Sequence, residues 1–270
     1  MRGKTWFLLL LSACLAGCAA PEPREYKVVI NSLTEKKLDD MIRNIVRPQK
    51  GQDHGEIISR VSAAFLGTPY RGDTLIGGPG VKEALVADFS FVDCTTLIEY
   101  VEALSHSDDR ETFLQNLAHM RYADNKVSYI SRRHFFSDWF TRRPRIARDV
   151  TAEISPDHVT IVRDLNRLPD GKAYVPGIGF SARKLTYIPA AAINKRVLHH
   201  LRTGDYVGVY SLTEQEDVSH VGIVARHDGR VWFRNASSRR ENRKVIDSPF
   251  LDYMRQKPGM IVIRTGKTGY

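Results

Sequence analysis

The chain has 270 residues, 42% hydrophobic and 26% charged, with a formal net charge of +9 and three cysteines. That length carries one large domain or two small ones, and the lack of internal repeats or low-complexity blocks excludes a repeat array. Its basic charge fits an anionic cell-wall polymer or lipid headgroups better than nucleic acid once the leader is read.

Met1-Arg2-Gly3-Lys4 is basic, Trp6 to Leu11 is apolar, and small residues follow to Cys18. This is a secretory leader too short to span a bilayer. Its end, Leu15-Ala16-Gly17-Cys18, resembles a bacterial lipobox, which implies a lipidated Cys18 at the mature N-terminus. An ordinary signal peptide cut near Ala19 or Ala20 is the alternative. With Cys14 removed and Cys18 lipidated, Cys94 is left alone, so disulfides do not stabilise the fold. Ala19, in place of aspartate, favours the outer membrane of a Gram-negative envelope, facing the periplasm.

Leu33 to Val46 has the spacing of an amphipathic helix that stops before Pro48, and 50–55 reads as a turn or linker. A second helix is predicted over Glu56 to Leu66, closed by Gly67. Thr68 to Gly72 is an extended turn. The Gly-rich stretch 76–80 lacks the lysine and following helix of a P-loop.

Asp93 is a preferred N-cap, and Leu97, Ile98, Val101 and Leu104 mark a helix from Cys94 to about Ser105. Cys94 in the first turn is then a structural cysteine or a nucleophile; the helix dipole and unpaired N–H groups favour its thiolate. Arg110 to Met120 reads as another helix. Tyr129 to Phe140 mixes aromatics with charge, an apolar face on the core with a solvated basic face. His134 and Asp138, read one helical turn apart, either line a cleft or are satisfied structural groups.

From Asp149 the pattern turns to β character. Val150 to Ile154 and His158 to Val162 are uncertain strands or loop, Tyr174 to Phe180 is loop, and Ala190 to Leu201 is a short helix. Strands follow at 205–210, 218–224, 231–235 and 260–264, with a hairpin turn at Asp228-Gly229. Helices first and an antiparallel sheet afterwards give an α+β fold with an added N-terminal helical segment. The expected organisation is a leader over 1–18, a tether and N-terminal helix over 19–53, and a catalytic domain over 54–270.

A thiol nucleophile needs a base held by a third group. His220 on one strand and Asn235 at the end of its hairpin partner face the same side of the sheet. The base-plus-orienter reading stands against a core histidine and a strand-end asparagine. The histidines show no metal-ligand spacing beyond adjacent His199-His200, and there is no His-Glu-x-x-His. No metal or cofactor is expected.

Asp93-Cys94-Thr95-Thr96, then Val218-Ser219-His220-Val221-Gly222-Ile223 and Asn235-Ala236-Ser237-Ser238, resemble the NlpC/P60 superfamily of papain-like cysteine hydrolases. Phe65 to Tyr70, Arg121-Tyr122, Ser131 to Trp139 and Gly204-Asp205 resemble its N-acetylmuramoyl-L-alanine amidase-like branch, DUF1460. The resemblance implies a papain-like fold in which Cys94 attacks, His220 is the base and Asn235 orients it. It implies cleavage of the amide between N-acetylmuramic acid and L-alanine in peptidoglycan or its fragments. Tyr70 matches a tyrosine that borders the cleft. Asp93, Arg133, His134, Asp138 and Ser219 fall in matched blocks and are expected to bind substrate. The superfamily often has histidine in the third position, where this chain has Asn235; papain uses asparagine. The alternatives are an endopeptidase cutting between D-glutamate and the diamino acid, and a lipid-anchored binding module with an inactive cleft.

Overall fold

The computed structural model describes residues 24–266, so the leader and Cys18 lie outside the described residues. β1 (Lys27–Ile30) leads into α1 (Ser32–Met41), whose cap Asn31 accepts a hydrogen bond from the Thr34 N–H at 2.7 Å. Helical turns run on to Gln49, past the expected stop, because Pro48 sits at the start of a final tight turn where its missing N–H is no loss. α2 (His54–Ala63) is capped by Asp53 and ends before Leu66.

β2 (Ile76–Gly78) and β3 (Val81–Ala87) join β1 in a three-stranded sheet of order β1-β3-β2, with β1 parallel to β3. The segment that reads as a tether and helix thus supplies a strand to the domain. Its Leu38, Met41, Ile42 and Val46 enter the same core as the later helices.

α3 (Cys94–Ser105) and α4 (Arg110–Arg121) each start in a capping box, Asp93 with Thr96 and Asp109 with Thr112. Such a cap contributes about 1 kcal/mol and fixes where the helix begins. α3 is buried along nearly its whole length, and α4 packs on it through Phe113, Leu114 and Leu117. Between them Arg121 Nε donates to Glu99 Oε2 at 2.8 Å, both side chains almost fully buried.

After α5 (Asp138–Thr141) and β4 (Arg148–Asp149), the stretch Val150 to Ile154 forms the short helix α6 (Thr151–Ile154), not a strand. Then come β5 (Val159–Leu165), β6 (Ser181–Pro189), α7 (Lys195–His200), β7 (Tyr206–Tyr210), β8 (Val218–His227), β9 (Arg230–Ala236), β10 (Val245–Pro249), α8 (Phe250–Met254) and β11 (Gly259–Arg264). The eight-stranded sheet runs β10-β9-β8-β7-β11-β6-β5, with β4 beside β11, and its pairings are antiparallel. Asp228 and Gly229 have φ of 51° and 67°, the pair of left-handed residues that a type I′ hairpin requires.

Strand alternation splits the core in two. Tyr206, Ile223, Ile261 and Ile263 face the helices, whereas Val207, Val209, Val224, Phe233, Met260 and Val262 face α7 and α8. Gly222 lets β9 approach, since a Cβ there would stand 2.5 Å from the Arg234 carbonyl oxygen. No helix among the described residues is long and apolar enough to cross a membrane.

Candidate active site

Cys94 begins α3 and is half-buried. The Val221 N–H and the Thr95 hydroxyl both donate to its sulfur, so the thiol rests against the peptide unit that follows His220. Cys94 and His220 line one cavity of about 190 Å³, together with Ile98, Phe135, Phe136 and Trp139.

His220 Nε2 lies 3.0 Å from Asn235 Oδ1. Asn235 is 1% exposed, and its Nδ2 donates to the Phe233 carbonyl at 3.0 Å, so the amide has only one way round. Its oxygen must then face the imidazole. An acceptor there requires the proton on Nε2, which leaves the Nδ1 lone pair free to take a proton from a nucleophile.

The helix start does not produce the thiolate that its dipole suggests. Burial, and next the adjacent Asp93 carboxylate, push the Cys94 thiol up to about 11, outweighing the groups that donate to the sulfur. The residue that caps α3 is thus also the charge that opposes ionisation of its first side chain. His220 moves the other way: burial holds its pKa below the ordinary histidine value, with Lys257 and Arg239 adding to the effect against the Asn235 hydrogen bond. Both shifts favour the uncharged forms, thiol and imidazole.

The remaining residues singled out in the sequence divide. Ser219, His134 and Arg133 line the cavity. His134 Nε2 donates to the Tyr129 carbonyl at 2.7 Å, and burial lowers its pKa. Arg133 spends its terminal nitrogens on the carbonyls of Asp138, Arg142 and Pro144, so it braces the loop that forms this wall. Asp138 is not on the cavity wall. It is 2% exposed, accepts from the Phe135 N–H at 3.2 Å and pairs with Arg183 at 3.0 Å, which makes it a structural clamp. It also does not share a helix with His134, because α5 starts only at Asp138. Tyr70 does not line the cavity but lies near the thiol; burial raises its phenol, as do its neighbours Cys94 and Asp93, with the Arg243 guanidinium 5.0 Å from its ring. Sequence reasoning missed the donors Thr95 and Val221 and the wall residue Tyr174, none of which has a spacing signal.

A family model described as N-acetylmuramoyl-L-alanine amidase-like matches residues 60–260. A DUF1460 protein of Legionella pneumophila superposes with a TM-score of 0.72 at 22% identity, over 88% of this chain and 97% of that one, and shows the fold. An N-acetylmuramoyl-L-alanine amidase of Bacteroides uniformis gives 0.67 at 28% identity, over 79% and 99%. A Bacteroides fragilis protein provisionally named a xylanase gives 0.63 at 26%, over 76% and 99%. No curated protein matches. With most of its length covered by the family model, an α+β fold built on a large antiparallel sheet and solved relatives aligned over nearly their whole length, the chain belongs to the N-acetylmuramoyl-L-alanine amidase-like family, DUF1460.

Proposed function

We propose that this protein is a cysteine-dependent hydrolase that cleaves the amide between N-acetylmuramic acid and L-alanine in peptidoglycan or its fragments, on a papain-like fold of the NlpC/P60 superfamily. The observation that carries this reading is the Asn235-fixed tautomer of His220 beside the cavity that holds the Cys94 thiol. As sulfur attacks the lactyl carbonyl, His220 Nδ1 takes the thiol proton. The resulting imidazolium protonates the departing L-alanine amine and leaves a thioester. Water, deprotonated by the same imidazole, then releases the muramyl carboxylate. The Cys94 N–H, in the first turn of α3 where backbone donors have no intrahelical acceptor, is the proposed oxyanion donor.

A glycosidase reading, suggested by one relative's name, finds little support. The cavity's two carboxylates, Glu216 and Asp217, are sequence neighbours already engaged as acceptors, Asp217 from the Ser137 N–H and Glu216 from the Ser211 hydroxyl. Digestion of defined muropeptides with mass analysis of the products tests the proposal: free sugar plus intact stem peptide is expected. A shortened stem would mean an endopeptidase, and retention without cleavage a binding module.

The reactive form holds one proton between sulfur and imidazole. Activity therefore rises through a midpoint below pH 6.5 as His220 loses its extra proton, then falls as the thiol ionises near its raised value. Asn235→Ala is expected to lower kcat by about 10²-fold, part of what a positioned base supplies. Because the Asn235 bond raises the His220 pKa, the same substitution moves the acid midpoint lower still. An unchanged kcat and midpoint would remove Asn235 from the site.

We also propose that Cys18 is lipidated and holds the enzyme at the outer membrane, facing the periplasm. The leader composition supports this. Cys18→Ser is expected to move the protein from the membrane to the soluble fraction; retention in the membrane would argue against the anchor.

A further inference from the structure

His54 at the start of α2, Glu102 on α3 and His106 just beyond it meet away from the cleft. Their ligating atoms all lie within 4.8 Å of one another. Both imidazoles present Nε2 to the same glutamate oxygen: His54 at 3.0 Å and His106 at 2.8 Å from Glu102 Oε1. The rings lie 4.6 Å apart. Glu102 is 1% exposed, and its other oxygen accepts from Tyr206 at 2.7 Å and Thr265 at 3.0 Å. Those two hydroxyls hold the carboxylate in one orientation, as outer partners of metal ligands do.

We propose that His54, Glu102 and His106 form a binding site for a divalent transition-metal ion, zinc by the chemistry of the donor set. Two imidazoles and one carboxylate are a recurrent zinc set, with water as the fourth ligand. Bonds of about 2.0–2.1 Å put neighbouring ligand atoms about 3.3 Å apart, so the separations within the cluster need to change by no more than about 1.5 Å. Access is available: His54 lines one surface cavity, and Glu102 and His106 line another. The role is structural. Glu102 stands about 12 Å along α3 from Cys94, and the ion would pin the start of α2, the end of α3 and the C-terminal strand segment at Thr265. The spacing gave no hint of it, because His54 reaches its partners only across the α2–α3 packing.

Equilibrium dialysis of the chelator-stripped protein against Zn²⁺ tests the site. One ion per chain is expected, and Co²⁺ in its place should give the intense visible absorption of a four-coordinate ion. The conservative pair His54→Gln and His106→Gln should abolish both signals. Because substitution in this core can also unfold the chain, the unsubstituted protein supplies a second reading: saturating Zn²⁺ should raise Tm by about 5 °C, reversed by chelator. Zero stoichiometry, a six-coordinate cobalt spectrum, binding undiminished in the double variant or an unmoved Tm would each overturn the proposal and leave a hydrogen-bonded His-Glu-His cluster.

Discussion

Replacing Cys94 by alanine is expected to lower turnover of muropeptides by about 10⁴-fold or more while leaving the thermal midpoint nearly unchanged. The sulfur is half-buried at the head of α3, where the cap that fixes the helix is Asp93 with Thr96, not the thiol. On the proposed mechanism, loss of the thiol would delete the covalent route outright and leave binding and oxyanion stabilisation. Product mass, followed at substrate concentrations above and below KM, distinguishes lost chemistry from lost binding. Turnover by the variant within tenfold of the parent would end the cysteine mechanism. Chemical labelling gives a parallel reading: since burial and Asp93 hold the thiol near 11, alkylation of Cys94 in the free protein should be slow at neutral pH and accelerate towards alkaline pH.

The largest stability effect is expected at Arg121. Its Nε bonds Glu99 and its Nη1 donates to the Val86 carbonyl at 2.7 Å, so one side chain ties α4 to α3 and to β3. Arg121→Ala would strand a buried carboxylate whose pKa burial already raises despite the guanidinium beside it. A loss of about 3–5 kcal/mol is expected, read from urea denaturation. Replacing both partners with apolar residues, Glu99→Leu with Arg121→Met, should restore most of it, because no unpaired charge then remains. A loss under about 1 kcal/mol for Arg121→Ala would mean that water or another group reaches Glu99.

The helix at Cys94 was legible because its start is written in side chains: Asp93 accepts from the Thr96 N–H at 2.7 Å, and the apolar stripe behind it runs unbroken to Ser105. The hairpin was legible for the same kind of reason, an Asp-Gly pair whose φ values few other residues tolerate. β3 was not. Its Lys82, Glu83 and Ala84 look unlike a strand, and it is held by a parallel partner more than fifty residues upstream, a contact that no local pattern encodes. His134 and Asp138 misled because a spacing of four reads as one helical face, whereas Asp138 caps a tight turn by accepting from Phe135. The thiol's ionisation was half legible: the dipole follows from sequence, but the desolvation that outweighs it follows only from packing.

If Cys18 is lipidated as proposed, β1 sets how far the domain could stray from the bilayer. With a lipid on Cys18, eight residues lie between that attachment and the first strand-paired residue, Lys27, and a fully stretched chain spans at most about 30 Å over those nine steps. On the proposal that Cys18 carries a lipid, so short a leash would confine the proposed hydrolysis to a shell a few nanometres deep. Under that proposal, glycan strands or released fragments would have to come to the lipid surface to be cut.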